Sequence, residues 1–121
     1  MIKKLDWSHD NIVAYEAQGK FSKEENIQVL NELREIIAKQ GKIRLFVKLS
    51  EFAYPEVAAV KDRLSFAREH LKNIERYALV SDITAMDWVA SIAGMFTGIE
   101  FRTYKIDDEP LARAWVESKH R

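Results

Sequence analysis

The sequence predicts an α/β fold: a mainly parallel sheet of about five strands, with an antiparallel strand at one edge, flanked by four helices. Three observations predict it. Segments typical of strands and helices follow one another in the order ββαβαβαβα. The first two strand-like segments are joined by a short polar stretch, SHDN, which is typical of a hairpin. Each later strand follows a helix, which favours right-handed parallel crossovers.

Composition restricts the class of protein. The 121 residues, 47% hydrophobic and 31% charged, predict a single soluble globular domain over residues 1–121. Lys+Arg and Asp+Glu are both 19, so no basic excess favours nucleic-acid binding. The absence of cysteine excludes disulfides, thiolate catalysis and cysteine-based zinc sites. With no secretory leader and no apolar run of membrane-spanning length, we expect a cytoplasmic protein.

The first half of the chain has clear element boundaries. Residues 2–7 and 11–19 form the predicted hairpin. Ser22 and Glu25 have the spacing of a capping box and begin a helix, and Gly41 stands where a helix ends in a left-handed conformation. The β-branched, apolar segment 43–49 is typical of a buried strand.

The second half repeats the alternation. Pro55 suits the first turn of a second helix, because a proline there lacks only an N–H that has no intrahelical acceptor. The remaining predicted elements are a strand over 75–81, an apolar helix from Thr84, a strand over 101–106, and a final helix capped by Asp107 or Asp108 that carries Leu111 and Trp115.

Catalytic signatures are missing. The three histidines, His9, His70 and His120, have no metal-type spacing, and no cofactor or phosphate-binding motif occurs. Serines and carboxylates do follow the strands, where α/β folds place their ligands, although helix capping and turn formation explain them more simply. These pairs are Ser50 with Glu51, Ser81 with Asp82, and Asp107 with Asp108. Since no nucleophile stands beside a base, we expect a protein that is not an enzyme.

The segment 84–96 is unusually apolar for one helix face. At about 100° per residue, apolar side chains occupy roughly 220° of its circumference, more than packing on a sheet requires. Trp88 and Met95 lie at one border of this arc. On the preceding helix, Phe66 lies opposite the core stripe, near His70.

Two interpretations of these aromatic residues stay open. Packing between helices, or a homodimer seam, accounts for a wide apolar face without a ligand. Alternatively, Phe66, Trp88 and Met95 line a cleft between the second and third predicted helices, with Arg63 at its rim and His70 beside it. Such a cleft suits an apolar or lipid-like ligand, and its basic rim suits peripheral contact with an anionic membrane.

Four stretches, in this order and spacing, resemble a known family: GKFSKEENIQVLNELREIIAKQGKIRLFVKLSEF, SFAREHLKNIERYALVSD, MDWVASIAGMFTG and EFRTYKIDDEPLARAWV. The chain is identified by them as similar to the SpoIIAA-like family, related to STAS domains and compared in fold with CRAL-TRIO lipid-binding domains. The resemblance implies a STAS-like scaffold with a binding role. That role is either the holding of an apolar ligand or contact with a regulatory protein partner.

The resemblance also raises the question of a phosphorylation switch. STAS anti-sigma-factor antagonists carry a phosphorylated serine after their third strand, where added charge at a helix N-terminus controls partner binding. Here Pro55 and Glu56 stand at about that position, and the nearest serine is Ser50. We therefore expect no such switch.

Overall fold

A computed structural model gives the structure of the protein and describes residues 2–49, 54–55, 69, 71–81 and 100–118. Two α-helices lie in these ranges, α1 (Lys23–Gln40) and the C-terminal helix α2 (Glu109–Glu117). The strands are β1 (Ile2–Lys4), β2 (Ile12–Ala17), β3 (Lys20–Phe21), β4 (Ile43–Leu49), β5 (Tyr54–Pro55), β6 (Ile74–Ser81) and β7 (Glu100–Tyr104).

The main sheet has five strands in the order β1-β2-β4-β6-β7. The β1–β2 pair is antiparallel, while β2, β4, β6 and β7 run parallel to one another. This arrangement confirms the predicted α/β class, the mainly parallel sheet and the antiparallel edge strand. The other two of the four predicted helices fall on residues outside the described ranges.

Helix α1 begins and ends as its sequence predicts. The Ser22 side chain accepts a hydrogen bond from the Glu25 backbone N–H, and the Glu25 carboxylate accepts one from the Ser22 backbone N–H, completing a capping box. The same carboxylate accepts a hydrogen bond of 2.9 Å from the backbone N–H of Ile2. These backbone donors, that of Ile2 first, lower the pKa of Glu25. At the other end, Gly41 adopts a φ of 85° and donates its N–H to the Ile37 carbonyl.

Strand alternation gives the sheet two different faces. On one face, α1 packs its buried side chains, including Leu30 and Leu33, against Val13, Tyr15 and Leu45. On the other face, Ala112 and Val116 of α2 pack against a core that contains Ile12, Ala14, Phe46, Ala78 and Val80. Each apolar strand residue thus contributes to one core or to the other.

The α2 face of the sheet is built around one aromatic side chain. Phe46 lies in a register row between Ala14 on β2 and Ala78 on β6. The small neighbours leave room above the ring, where Trp7 packs edge-on with ring centroids 4.9 Å apart and an interplanar angle of 77°.

Three sequence predictions need correction. Pro55 belongs to the short strand β5, paired in parallel with Phe21 on β3, and so does not begin a helix. Because proline lacks an N–H, this position suits a short strand with few ladder bonds. The strand predicted over 101–106 ends at Tyr104, since residues Ile106–Asp108 form a 3₁₀ turn. Asp108 occupies the N-cap position of α2, but its side chain makes no capping hydrogen bond.

Candidate functional site

The side chains predicted to line a ligand cleft lie outside the described residues. They are Arg63, Phe66, His70, Trp88 and Met95. The same holds for Ser50, Glu51 and Asp82 among the residues expected at the carboxyl ends of the strands.

Of the predicted edge residues, three are described. Ser81 ends β6 and pairs in register with Leu49, the last residue of β4. Asp107 and Asp108 follow β7 in the 3₁₀ turn and are exposed to solvent. Both sets thus lie at the carboxyl edge, on neighbouring strands β6 and β7.

Close to this edge, on the α2 face of the sheet, the structure brings together a different set of charged side chains: Glu16, Lys48 and Glu109. The Lys48 ammonium lies 2.7 Å from a carboxylate oxygen of Glu109 and 3.7 Å from one of Glu16. Glu16 and Lys48 are register partners on β2 and β4, and Glu109 is the first residue of α2. The hydrogen bond to Glu109, first among several causes, raises the pKa of Lys48. Lys48 therefore carries a positive charge at neutral pH.

Sequence reasoning missed this cluster, although a signal was present. Glu16 in IVAYEA and Lys48 in IRLFVKL are each the penultimate residue of an otherwise largely apolar strand. When two neighbouring parallel strands carry an acidic and a basic residue at the same register position, the two side chains lie on the same face of the sheet and can form an ion pair. The third member, Glu109, could not be predicted in this way, because its position relative to the sheet depends on where α2 begins.

A second feature is an apolar surface on the opposite face of the sheet, which we call the apolar floor. Leu49 and Leu79 are buried in it, and Val47, Tyr77 and Phe101 pack beside them while remaining partly exposed. The rings of Tyr77 and Phe101 are 5.2 Å apart at 58°. Among the described residues, α1 contributes none to this cluster, so the strands themselves form the floor.

Two arginines hold the C-terminal helix α2 against the sheet. Arg44 and Arg76 are register partners on β4 and β6. Arg44 donates to the Val116 carbonyl at 3.0 Å and also to that of Ser118, while its Nε lies 3.1 Å from Glu75. Both arginines thus supply cations to the C-terminal carbonyls of a helix, which otherwise lack intrahelical donors.

Arg76 is the more deeply placed of the two. It is fully buried, and its Nη1 donates to the carbonyls of Trp115 at 2.6 Å and Ser118 at 3.1 Å. Its Nε lies 3.2 Å from a carboxylate oxygen of Glu100. The guanidinium also lies 5.4 Å from the centroid of the Trp115 ring. These contacts assign Arg76 to the attachment of α2.

Among the described residues there is neither a cluster of metal ligands nor a membrane-spanning helix. Within these residues, no three histidine, aspartate or glutamate side chains are grouped as metal ligands would be. Neither described helix combines the length and hydropathy of a transmembrane segment.

The mixed five-stranded sheet, with one helix on each face among the described elements, defines an α/β module of the STAS-like type. A family model described as SpoIIAA-like matches residues 12–117, most of the chain. The protein therefore belongs to the SpoIIAA-like family, as the sequence resemblance indicated.

A solved structure agrees with this assignment. The chain is similar to the crystal structure of an uncharacterised protein of the DUF3478 family with a SpoIIAA-like fold, from Shewanella loihica PV-4. The TM-score is 0.72 at 26% identity, and the match covers 95% of this chain and 93% of that one. Comparison with curated proteins gives no match.

Proposed function

We propose that the protein is a non-catalytic, cytoplasmic binding module that accommodates an apolar or amphipathic ligand between its second and third predicted helices. The proposal is carried by the sequence pattern of residues 84–96: as a helix they would present apolar side chains over roughly 220° of the circumference, more than packing on a sheet needs. The apolar floor supports it. Tyr77 and Phe101 already offer partly exposed aromatic surface on the sheet.

The proposed ligand contacts are the residues singled out in the sequence. Phe66, Trp88 and Met95 supply apolar contact, and Arg63 and His70 supply the polar rim. A basic rim beside an apolar cleft fits an amphipathic molecule with an anionic head group. The same chemistry suits contact with an anionic membrane surface, so vesicles belong in the test.

The absence of catalysis is part of the proposal. Lys48 supports it, because an ammonium paired with Glu109 and Glu16 serves as a structural charge. A broad substrate screen should find no turnover. Turnover that disappears in the Glu51→Ala or Asp82→Ala variant would overturn this part.

The first experiment is native mass spectrometry of freshly purified protein, which reports retained ligand and subunit number together. The second compares Trp88→Ala with Ile27→Ala in binding a fluorescent fatty-acid probe and anionic vesicles. Ile27 is 37% exposed on α1, does not belong to the apolar floor, and serves as the matched control. We expect Trp88→Ala to lose probe binding and Ile27→Ala to retain it.

Two other outcomes contradict a ligand cleft. If Trp88→Ala converts a dimer into monomers while neither form binds the probe, residues 84–96 form a homodimer seam. If it only lowers the free energy of unfolding, by about 3–5 kcal/mol, then Trp88 is part of the core.

A second candidate is a protein–protein regulatory module of the anti-sigma-factor-antagonist type, without the phosphorylated serine. Family membership and the placement of Pro55 in β5 favour it, since that stretch offers no serine at the corresponding position. Incubation with an anti-sigma-type kinase should leave residues 50–57 unlabelled. Stoichiometric labelling of Ser50 that alters partner binding would restore the phosphorylation switch.

A further inference from the structure

The outer side of α2 next to β7 presents three side chains, which we call the α2 strip: Leu111, Trp115 and Arg102. Leu111 is 61% exposed, more than any other large apolar side chain among the described residues. Trp115 follows it by four residues, so the two are neighbours on one helix face. Arg102 reaches across from β7, with its guanidinium 4.6 Å from the centroid of the Trp115 ring.

The charge of Arg102 is not neutralised within the strip. Among the described residues, its guanidinium has the ring of Trp115 as its neighbour and forms no ion pair or hydrogen bond. The buried guanidinium of Arg76 lies near the same ring, at 5.4 Å, but its charge is paired with the Glu100 carboxylate 3.2 Å away. An exposed cation thus lies over a tryptophan that has an exposed leucine one turn away on the same helix face.

Arg113 provides a contrast on the other flank of the same helix. It too lies over a tryptophan, 4.8 Å from the centroid of the Trp7 ring. Its Nε, however, donates to the carboxylate of Glu117 at 3.0 Å, so its charge is paired within the helix. The two arginines share their stacking but differ in whether an anion is already bound.

We propose that the α2 strip is a docking surface for a segment of another protein that presents a carboxylate next to an apolar side chain. A guanidinium stacked on an indole loses little further freedom when its planar fork pairs with a carboxylate. Tryptophan and arginine are also the side chains most enriched among residues that dominate binding energy at interfaces. The exposed Leu111 supplies the apolar half of this recognition.

This surface is separate from the apolar floor. The α2 strip lies on the α2 face of the sheet, whereas the apolar floor lies on the α1 face. Failure of one proposal therefore leaves the other standing.

The test uses a displayed library of random 16-residue peptides, selected against the full chain and counter-selected against Leu111→Asp. We expect the enriched peptides to share a glutamate or aspartate flanked by apolar residues. Isothermal titration calorimetry then measures the Kd of one synthetic peptide for the wild type and for two variants. Arg102→Gln should raise the Kd by about tenfold or more, because it removes one charge-assisted hydrogen-bonded pair. Arg113→Gln should raise it by less than about twofold.

A double-mutant cycle identifies the contact. Changing the acidic residue of the peptide to its amide should cost nothing further once Arg102 is glutamine. Because Arg102 and Leu111 are both exposed, we expect these variants to stay folded, and circular dichroism checks this.

Several results overturn the proposal. These are a library without enrichment, enriched peptides without acidic residues, and equal losses for Arg102→Gln and Arg113→Gln. Dimerisation that Leu111→Asp abolishes would instead assign the strip to a second copy of this chain. Binding of anionic vesicles that Arg102→Gln abolishes would assign it to a membrane.

Discussion

Replacing Arg76 with methionine tests whether this buried arginine holds the C-terminal helix on the sheet. Methionine keeps an unbranched apolar stem but removes both donors to the carbonyls of Trp115 and Ser118. It also leaves the Glu100 carboxylate without the cation 3.2 Å away. The Ser118 carbonyl keeps its hydrogen bond from Arg44, whereas the Trp115 carbonyl loses the only arginine donor it has among the described residues.

The magnitude follows from these contacts. Each hydrogen bond from a charged donor contributes about 1.5–3 kcal/mol net, so the two carbonyls account for about 3–6 kcal/mol. Removing the cost of burying a guanidinium offsets part of this loss. The Glu100 side chain is 47% exposed, so its ion pair adds little. We expect the free energy of unfolding to fall by about 3 kcal/mol.

Urea unfolding, followed by circular dichroism and by tryptophan fluorescence, measures this loss. The control is Arg113→Met, which removes an exposed arginine from α2 itself. Its ion pair with Glu117 should contribute less than about 0.5 kcal/mol. A loss below about 1 kcal/mol for Arg76→Met, or equal losses for the two variants, would refute the reasoning.

Three further predictions concern the rest of the described fold. Glu25→Gln should lower the free energy of unfolding at neutral pH and make it depend less on pH in acid, as measured by urea unfolding. The reason is that folding lowers the pKa of Glu25, so the stability this carboxylate contributes is lost as the pH falls through its pKa in the folded protein. Burial first, and then Glu32, raises the pKa of Tyr15 above its ordinary value of 10.0. The free energy of unfolding should therefore fall as the pH rises above 10.0, and Tyr15→Phe should remove that loss in thermal melts measured at a series of pH values. Val116→Ala should cost about 2 kcal/mol in urea unfolding. By the same measurement Leu111→Ala should cost less than about 0.5 kcal/mol.

Local signals in the sequence predicted most of the sheet. The strand over 43–49 agrees with β4 at both ends, and the capping box at Ser22 with Glu25 forms as its spacing indicates. Both depend on residues close together in the chain. The short pair β3–β5 escaped prediction, because two-residue strands joined across Lys20 and Tyr54 leave no periodicity to detect.

The polar contacts were less predictable for a physical reason. Arg44 and Arg76 appear in the sequence as charges inside apolar strands, a pattern that predicts an exposed face. Their burial depends on the C-terminal end of a helix arriving at the same edge of the sheet, about 40 to 70 residues later in the chain. Only the fold brings those carbonyls within reach, so no local pattern encodes the contact.

Strand β7 connects the two proposed surfaces. Phe101 contributes to the apolar floor, and the next residue, Arg102, contributes to the α2 strip on the opposite face. If a ligand at Phe101 moves β7, Arg102 moves with it, because the two residues are adjacent in the strand. Any effect of the ligand on peptide affinity is then matched by an equal effect of the peptide on ligand affinity. If the peptide binds the ligand-loaded protein and the ligand-free protein with the same Kd, then β7 has the same position in both, and the two faces of the sheet act independently.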